Sequence, residues 1–233
     1  MPKSKTTVNI DALADDESRM YADIFDAVME HRLPPKTKLT EQVLCEIYKL
    51  ARHNVRKVLT QLANEGLVDL EPNRGAFIAS PTEQEAQDMF ELRQTLERLV
   101  VQKVAEVKPM AEIKRLKDMV KNERAAWLAG DRAVWIRLSA DFHVELAQLA
   151  GNQLLTDMLR RLVSRTTLLI ASVGAPGKNA CSFDDHAGIL AKLEAGDKPG
   201  ALKCMAHHLD GCAHRSLMPE AERFDLRGAL NRR

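Results

Sequence analysis

Three of the seven histidines are placed to do metal chemistry, because each borders the apolar side of a different predicted helix. These are His143, His186 and His208, whereas His207 and His214 point toward the polar side of their helix. Inward imidazoles that converge from three helices are a donor set for Zn²⁺ or Ni²⁺, with positions left for water or a ligand carboxylate. The alternative for each is a core histidine whose ring nitrogens form hydrogen bonds within the protein.

A second group with chemical potential lies in the stretch LARHNVRKVL and the residues just after it. On a helical wheel, its long polar side chains gather on one side, while valines and leucines occupy the opposite arc. The polar set is Arg52, His53, Arg56, Lys57 and Thr60. Arginine can form bidentate hydrogen bonds with guanine, and both arginine and lysine neutralise phosphates, so this face predicts DNA binding. The alternative is an ordinary solvated helix face.

Composition limits the class of protein. The chain has 233 residues, of which 45% are hydrophobic, 29% charged and 4% aromatic, and its formal net charge is +1. These values indicate a folded, mainly α protein, and a nucleic-acid partner must be argued from local clustering of charge. The N-terminal segment lacks the apolar core of a signal sequence, and the longest apolar stretches are too short for a bilayer. We therefore expect a cytoplasmic protein with no membrane partner and with reduced cysteines.

Residues 18–80 supply the elements that would position the basic face. The spacing of apolar residues, the prolines at 34–35, the N-cap candidate Thr40 and the terminal Gly66 delimit three helices. The runs LVDLE and AFIAS, joined by a turn at PNRG, then predict a β-hairpin. Three helices followed by a hairpin are typical of a winged helix-turn-helix DNA-binding domain.

Residues 82–217 would position the histidines, and they show only helical periodicity. Thr82 and Glu85 have the spacing of a capping box, which predicts that the first helix begins there. The predicted helices are 83–106, 110–129, 131–150, 152–173, 184–195 and 197–217. We therefore predict an all-α, six-helix C-terminal domain, followed by a flexible tail over 218–233.

The segment LTEQVLCEIYKLARHNVRKVLTQLANEGLVDLEPNRGAFI resembles the winged-helix signature of the GntR family of bacterial transcription regulators. The matching residues are Leu39, Glu41, Leu44, Arg52, Val55, Arg56, Leu59, Leu62, Glu65, Gly66, Leu67, Val68, Arg74 and Gly75. The chain departs from the signature at Ala51, where serine is usual, and at His53 and Asn54, where threonine and proline are usual.

This resemblance implies a role for each matching polar position. Arg52 and Arg56 would contact DNA in the major groove, with His53 beside them. Arg74 and Gly75 would approach the minor groove from the hairpin turn. His53 occupies a position where relatives usually carry threonine. We therefore expect the operator preference of this protein to differ from that of its relatives at the bases near His53.

The helical half resembles the FCD ligand-binding domain of the FadR-type branch of that family. ELRQTLERLVVQKVAE resembles the opening helix, while FHVELAQLAGNQLL and DDHAGILAKLEAGDKPGALKCMAHHLD resemble later signatures. Six helices, rather than seven, are typical of the VanR-like subgroup. The two resemblances together extend over residues 21–217.

The FCD resemblance also bears on the metal and on the effector. Metal-binding FCD domains usually carry an aspartate four residues before the first histidine, and Ser139 occupies that place here. The site would hold Zn²⁺ or Ni²⁺ with three histidines and water, or it would hold no metal and bind the effector directly. Arg93 and Arg165, on helices expected to line the cavity, and Ser139 are the candidates for effector contact. A buried arginine requires an anionic partner, which an organic acid would supply.

These features predict a non-enzymatic, homodimeric transcription regulator that binds a double-stranded DNA operator and a small-molecule effector. A dimer presents two recognition helices about one DNA turn apart, and an effector that favours one dimer arrangement changes operator affinity. Repression is the commoner outcome in this family. Two alternatives are a metal-dependent hydrolase with a three-histidine site and a winged helix that makes only protein contacts.

Overall fold

The computed structural model describes residues 10–29, 32–172 and 182–216. The chain divides into two compact units between Ala79 and Ser80. The predicted tail over 218–233 and Cys181 lie outside the described residues. Among the helices that are described, none combines the length and the apolarity needed to cross a bilayer.

The N-terminal unit is a winged helix-turn-helix, which confirms the predicted fold class. Its elements are α1 (Ile10–Met29), β1 (Lys38–Leu39), α2 (Glu41–Tyr48), α3 (Arg52–Asn64), β2 (Val68–Glu71) and β3 (Gly75–Ile78). Two details differ from the sequence prediction. Helix α1 begins eight residues before the predicted domain start at Ser18, because no glycine or proline interrupts the stretch. Strand β1 was not predicted, because two residues are too short to show alternation.

The hairpin is part of a three-stranded antiparallel sheet in the order β1-β3-β2. Val68 pairs with Ile78, and Glu71 pairs with Gly75 at the turn. Gly75 has a φ of 105°, a backbone conformation that side-chain-bearing residues rarely adopt. The turn therefore depends on this glycine, and it places Arg74 at the exposed end of the wing.

Helix α3 is held in place by its apolar face and by its C-terminal cap. Val55, Val58, Leu59 and Leu62 are buried, and the helix contacts α1, α2 and β2. At its end Gly66 has a φ of 79°, and the N–H of Leu67 donates to the carbonyl of Leu62 at 2.9 Å, as in a Schellman cap. Burial of one face leaves the opposite, polar face in solvent.

The second unit is all-helical, as predicted. It contains α4 (Glu83–Val107), α5 (Met110–Ala129), α6 (Arg132–Leu149), α7 (Gln153–Ser172), α8 (Ser182–Glu194) and α9 (Lys198–Ser216). These bounds agree with the predicted helices to within two residues at each end. The predicted capping box is present, because the Thr82 hydroxyl accepts from the N–H of Glu85 and the Glu85 carboxylate accepts from the N–H of Thr82.

The core of the helical unit contains charged side chains among aliphatic ones. Helix α4 contacts α6, α7, α8 and α9, so residues on its buried face reach most of the unit. Buried beside the leucines, valines and Phe142 are Arg93, Glu97, Glu123 and the histidines of α6, α8 and α9. Buried polar groups are costly unless they are paired, so their partners define the candidate site.

Candidate functional site

The polar side of α3 is an exposed cationic surface, which we call the basic face: Arg52, His53, Arg56, Lys57 and Thr60, together with Arg74 and Gly75 of the wing. All seven residues are exposed. Arg52, Arg56 and Lys57 have 63%, 62% and 73% of their side chains in solvent, which leaves these groups accessible to a nucleic acid.

Each cation of the basic face already has a carboxylate partner. Glu41, at the start of α2, accepts from Arg56 Nε at 2.8 Å and lies 3.3 Å from Arg52 Nε, with one oxygen facing each arginine. Lys57 Nζ lies 2.6 Å from Glu17 of α1. These exposed pairs orient the long side chains and contribute little to stability.

The cation of the wing also has a carboxylate partner. Arg74 forms an ion pair with Glu71 across the turn, and its guanidinium lies over the ring of Phe77, 5.4 Å from the ring centre. On α3, the Thr60 hydroxyl donates to the carbonyl of Arg56 at 2.7 Å, so it is satisfied by its own helix in the absence of DNA. Asn54, which replaces the usual proline, is buried at the start of α3.

The three inward histidines predicted from sequence come together in the core of the helical unit. His143 of α6, His186 of α8 and His208 of α9 offer ring nitrogens that all lie within 4.8 Å of one another. His208 Nε2 is 3.2 Å from His143 Nε2 and 3.3 Å from His186 Nε2. We call this group the histidine cluster. His207 and His214 are exposed, in agreement with their predicted orientation.

Each ring of the histidine cluster is oriented by a carboxylate on its other nitrogen. His143 Nδ1 lies 2.5 Å from Glu97 of α4, and His186 Nδ1 lies 2.9 Å from Glu123 of α5. His208 Nδ1 lies 3.3 Å from Asp185 of α8. An ionised carboxylate only accepts, so Nδ1 carries the hydrogen and donates. Every Nε2 therefore faces the centre of the cluster, which is how metal-ligating histidines are commonly held.

Burial and charge set the protonation of the cluster. Burial lowers the pKa of His143 to about 3 and also lowers the pKa of His186. Burial alone would raise the pKa of Glu97, but Arg93 and His143 lower it to about 2. Burial opposes the charged form of His208 as well, yet Cys212 and Asp185 raise its pKa to about 9. Burial and neighbouring groups therefore make His208 the most basic of the three rings.

The histidine cluster fits a divalent metal ion. Three ring nitrogens that face one point can each donate a lone pair to a single cation. Zn–N bonds of about 2.0–2.1 Å in a tetrahedron separate the nitrogens by about 3.3 Å. The two Nε2 distances from His208, 3.2 and 3.3 Å, agree with that spacing. Neutral imidazoles suit Zn²⁺ and Ni²⁺.

Of the three predicted effector contacts, Arg93 is linked to the histidine cluster through Glu97, whereas Arg165 pairs with Glu85. Ser139, one helical turn before His143, is half-buried. Arg93 is 1% exposed: its Nε donates to Glu97 at 2.8 Å, and its Nη1 donates to Thr166 at 2.8 Å. Its Nη2 is buried and has no hydrogen-bond partner among the described residues. Arg165 lies 3.7 Å from Glu85, at the N-terminal end of α4.

Sequence reasoning missed the carboxylates that orient the site. Glu97 follows Arg93 by four residues, a spacing that places both on one helix face and that was available in the sequence. Asp185 is adjacent to His186 in the chain but contacts His208. Glu123 has no such signal, because its position depends on the packing of α5 against α8.

Comparison with known proteins agrees with this architecture. Residues 88–211 match the family described as "FCD domain", and residues 17–78 match "Bacterial regulatory proteins, gntR family". The first of these matches covers more than half of the chain, and each lies in a different unit of the structure.

Individual relatives are distant but similar along most of their length. The chain is 23% identical to the Escherichia coli HTH-type transcriptional repressor RspR, over 76% of this chain and 78% of RspR. It is 25% identical to the Bacillus subtilis HTH-type transcriptional regulator LutR, over 76% of this chain and 90% of LutR. Its fold is similar to that of E. coli McbR/YncC, with a TM-score of 0.73, 18% identity, and coverage of 86% and 96% of the two chains. The chain therefore belongs to the GntR family of bacterial transcriptional regulators, with an N-terminal GntR helix-turn-helix domain and a C-terminal FCD domain.

Proposed function

We propose that this regulator is a homodimeric, effector-controlled repressor that acts on a near-palindromic DNA operator in the cytoplasm. The observation that carries this proposal is the basic face, where Arg52 and Arg56 project from the first two turns of α3 and share the carboxylate of Glu41. The E. coli relative RspR is a transcriptional repressor, which supports repression. The six helices of the described part of the FCD domain support its assignment to the VanR-like subgroup.

In the proposed complex, α3 enters the major groove. Arg52 and Arg56 lie one turn apart on the exposed side, so both reach base edges or phosphates from the same groove. His53, Lys57 and Thr60 are exposed beside them and complete the contact. Arg74, presented by the turn that Gly75 permits, inserts toward the minor groove and is oriented by Phe77.

A dimer is supported by apolar residues that the isolated chain leaves in solvent. Leu92 and Leu99, two turns apart on α4, are 53% and 38% exposed. Leu154 and Met158, one turn apart on α7, are 71% and 51% exposed. Helices α4 and α7 contact each other, so the four residues belong to neighbouring elements. Burying them between two copies would pair two basic faces, as a two-fold operator requires.

We further propose that the helical unit binds a divalent metal ion, Zn²⁺ or Ni²⁺, through His143, His186 and His208. When bound, such a metal supplies a Lewis-acidic position that accepts an oxygen ligand.

Arg93 supports an anionic effector. Its buried Nη2 has no hydrogen-bond partner among the described residues, and an organic carboxylate would accept a hydrogen bond from it. Ser139 and Arg165 are further candidate contacts. The effector would favour one dimer arrangement and so change the spacing of the two basic faces.

The hydrolase alternative is less well supported. Glu97, Glu123 and Asp185 are all engaged at Nδ1 of the histidines, which is the side away from the centre of the cluster. A general base for hydrolysis must reach a water molecule at the Nε2 side. The carboxylates therefore act as supports for the rings, which is consistent with a binding site.

The test of the DNA-binding proposal is selection of binding sites from random duplex DNA. The intact chain should enrich a near-palindrome whose half-sites lie about one helical turn apart. A variant with Arg52→Ala and Arg56→Ala should enrich no sequence. Equal enrichment by both proteins would contradict the proposal.

The test of the metal proposal is elemental analysis of protein purified without chelator or nickel resin. It should give about one equivalent of metal per chain, and a content far below one would overturn the site.

A further inference from the structure

Two lysines lie along one side of the wing, beyond the residues of the basic face. Lys38 is the first residue of β1, an outer strand of the sheet that pairs with β3. Lys36 precedes it by two residues, and its N–H donates to the carbonyl of Ile78 at 2.9 Å, which places Lys36 beside the end of β3. Both lysines are exposed. We call this pair the lysine edge.

The lysine edge reaches Arg74 at the tip of the wing. Lys38 is the cross-strand partner of Phe77, so both side chains lie on the same face of the sheet. Lys38 Nζ is 5.7 Å from the centre of the Phe77 ring, and the Arg74 guanidinium is 5.4 Å from the same point. A Cβ atom at position 75 would lie 3.6 Å from Lys38 Cε, so the lysine stem passes beside the glycine of the turn. Lys38 and Arg74 therefore share one aromatic ring.

The charges on this face of the wing are separated between its two sides. Asp69 of β2 also pairs with Phe77, on the side opposite Lys38, and Glu71 lies further along the same strand. The β2 side is therefore acidic and the β1 side is basic. Among the residues that the structure describes, no carboxylate forms an ion pair with Lys36 or Lys38, whereas the other cations of this surface each have one. The charge of the lysine edge is thus uncompensated.

The backbone of Lys36 shows that a lysine at this position has a conformational cost. The N–H of Thr37 donates to the carbonyl of Pro34 at 3.2 Å, which closes a β-turn, and Lys36 in that turn has a φ of 67°. Glycine or asparagine is favoured at such a position, because other side chains are strained in the left-handed region. The exposed lysine adds strain without adding a buried contact, which points to a role for its charge.

We propose that the lysine edge is a further DNA contact, in which Lys36 and Lys38 bind phosphates beside the minor groove that Arg74 approaches. This inference rests on the proposed DNA contact of the wing and extends it along β1. Duplex DNA is the partner that fits, because the lysine edge continues the cationic surface at Arg74 and offers two uncompensated charges to a polyanion. Contacts to phosphate position a protein on DNA and carry no sequence information. The lysine edge would therefore raise affinity for every sequence and leave the choice of operator to α3.

The test is binding of the full chain to an arbitrary DNA duplex of about three helical turns, measured by fluorescence anisotropy over a range of salt concentrations. The double variant Lys36→Gly, Lys38→Gln should bind on the order of tenfold more weakly at low salt. The slope of log K against log salt concentration should become smaller by about 1.8, since each phosphate contact contributes about 0.9. Lys108→Gly is the matched control and should change neither quantity, because Lys108 is an exposed lysine with a φ of 52° in the helical unit.

Two single variants separate the charge of the lysines from their effect on folding. Lys36→Gly removes the strain together with the charge, so the unfolding midpoint of the N-terminal unit should stay the same or rise while DNA affinity falls. Lys38→Arg keeps the charge and should bind DNA like the intact chain, whereas Lys38→Gln should not. A loss of affinity with an unchanged salt slope would mean that the lysines act through the fold, and it would overturn the proposal.

The outcomes also distinguish this inference from the DNA-binding proposal. If the double lysine variant binds like the intact chain while replacement of Arg52 and Arg56 by alanine abolishes binding, only the role of the lysine edge is overturned. If the intact chain binds no duplex, both proposals are overturned. A double lysine variant that selects a different DNA sequence and binds arbitrary DNA normally would assign the lysines to bases, and it would overturn the phosphate contact.

Discussion

Glu41 and Glu97 are each shared by two basic side chains, but in opposite surroundings. Glu41 faces Arg52 and Arg56, whose side chains are more than half exposed, and Glu97 faces Arg93 and His143, which are buried with it. In solvent, such pairs exchange readily with other ligands, because water and salt weaken them. In the core they cannot exchange, because an unpaired charge there is strongly unfavourable. The same pairing therefore keeps the basic face available to DNA and keeps the histidine cluster in one geometry.

The largest effect should come from removing the central ring of the histidine cluster. His208→Ala leaves two of the three nitrogen donors, which is too few for a stable site, so metal content should fall from about one equivalent to none. His207→Ala is the matched control, because His207 is exposed on the same helix. Elemental analysis of the two variants provides the measurement. Retention of metal by His208→Ala would contradict the proposed ligand set.

The next effect concerns the basic face. Replacing both Arg52 and Arg56 by alanine should weaken operator binding on the order of a hundredfold, because bidentate contacts to bases and phosphates are lost. Fluorescence anisotropy at several salt concentrations would also show a smaller salt slope. Arg161→Ala, an exposed arginine of α7, should leave both quantities unchanged. The basic face would not be the DNA contact if the double variant bound like the intact protein.

The comparison between the two glutamates can be tested by one substitution made in each unit. Glu97→Gln leaves Arg93 without an anionic partner in the core, so the unfolding free energy of the helical unit should fall by about 3 kcal/mol. Both tryptophans, Trp127 and Trp135, lie in that unit, so their fluorescence in urea reports on it.

Glu41→Gln is the matched exposed change. It should leave the unfolding midpoint of the N-terminal unit nearly unchanged, as measured by the absorbance of Tyr21 and Tyr48, which both lie in that unit. If the two substitutions had equal effects on stability, burial would not be what separates the two pairs.

The smallest effect is a pH dependence of the metal-free helical unit. The pKa of His143 is lowered to about 3 in the folded protein, so below its ordinary value of about 6.5 the unfolded chain binds more protons. Stability should therefore fall as the pH decreases from about 6.5 toward 3, by up to about 1.4 kcal/mol per pH unit for each histidine of this kind. Urea midpoints at pH 7, 6 and 5 with chelator present would measure the slope. His143→Gln should reduce the slope without abolishing it, because the pKa of His186 is lowered as well. A midpoint in the intact protein that does not move would contradict the assignment.

Local patterns were sufficient to predict most of the fold. Caps and breakers such as Thr82, Gly66 and Gly130 act within a few residues, so the helix ends could be read from the chain. Strand β1 could not be predicted, because its two residues are strand only through pairing with β3. The N-terminal extension of α1 was missed because its polar composition hid a stretch without helix breakers.

The candidate site was partly predictable, because the direction of some of its side chains also follows from local patterns. The inward direction of the three histidines follows from their position on amphipathic helices, and so does the outward direction of Arg52 and Arg56. Their partners depend on which helices pack together. Glu123 reaches His186 only because α5 lies against α8, and no spacing in the chain reports that contact. Metal binding at the histidine cluster stays a prediction.

Glu41 has a consequence for the search along the chromosome. Because its carboxylate already accepts from Arg56 and lies close to Arg52, a duplex that arrives must displace an internal competitor. A random DNA sequence offers these arginines little more than phosphates. The net gain in binding free energy is therefore small, and the protein dissociates quickly. The operator also offers hydrogen bonds to base edges, which Glu41 cannot replace. We therefore expect discrimination to reside in how long the protein stays on a site more than in how fast it arrives.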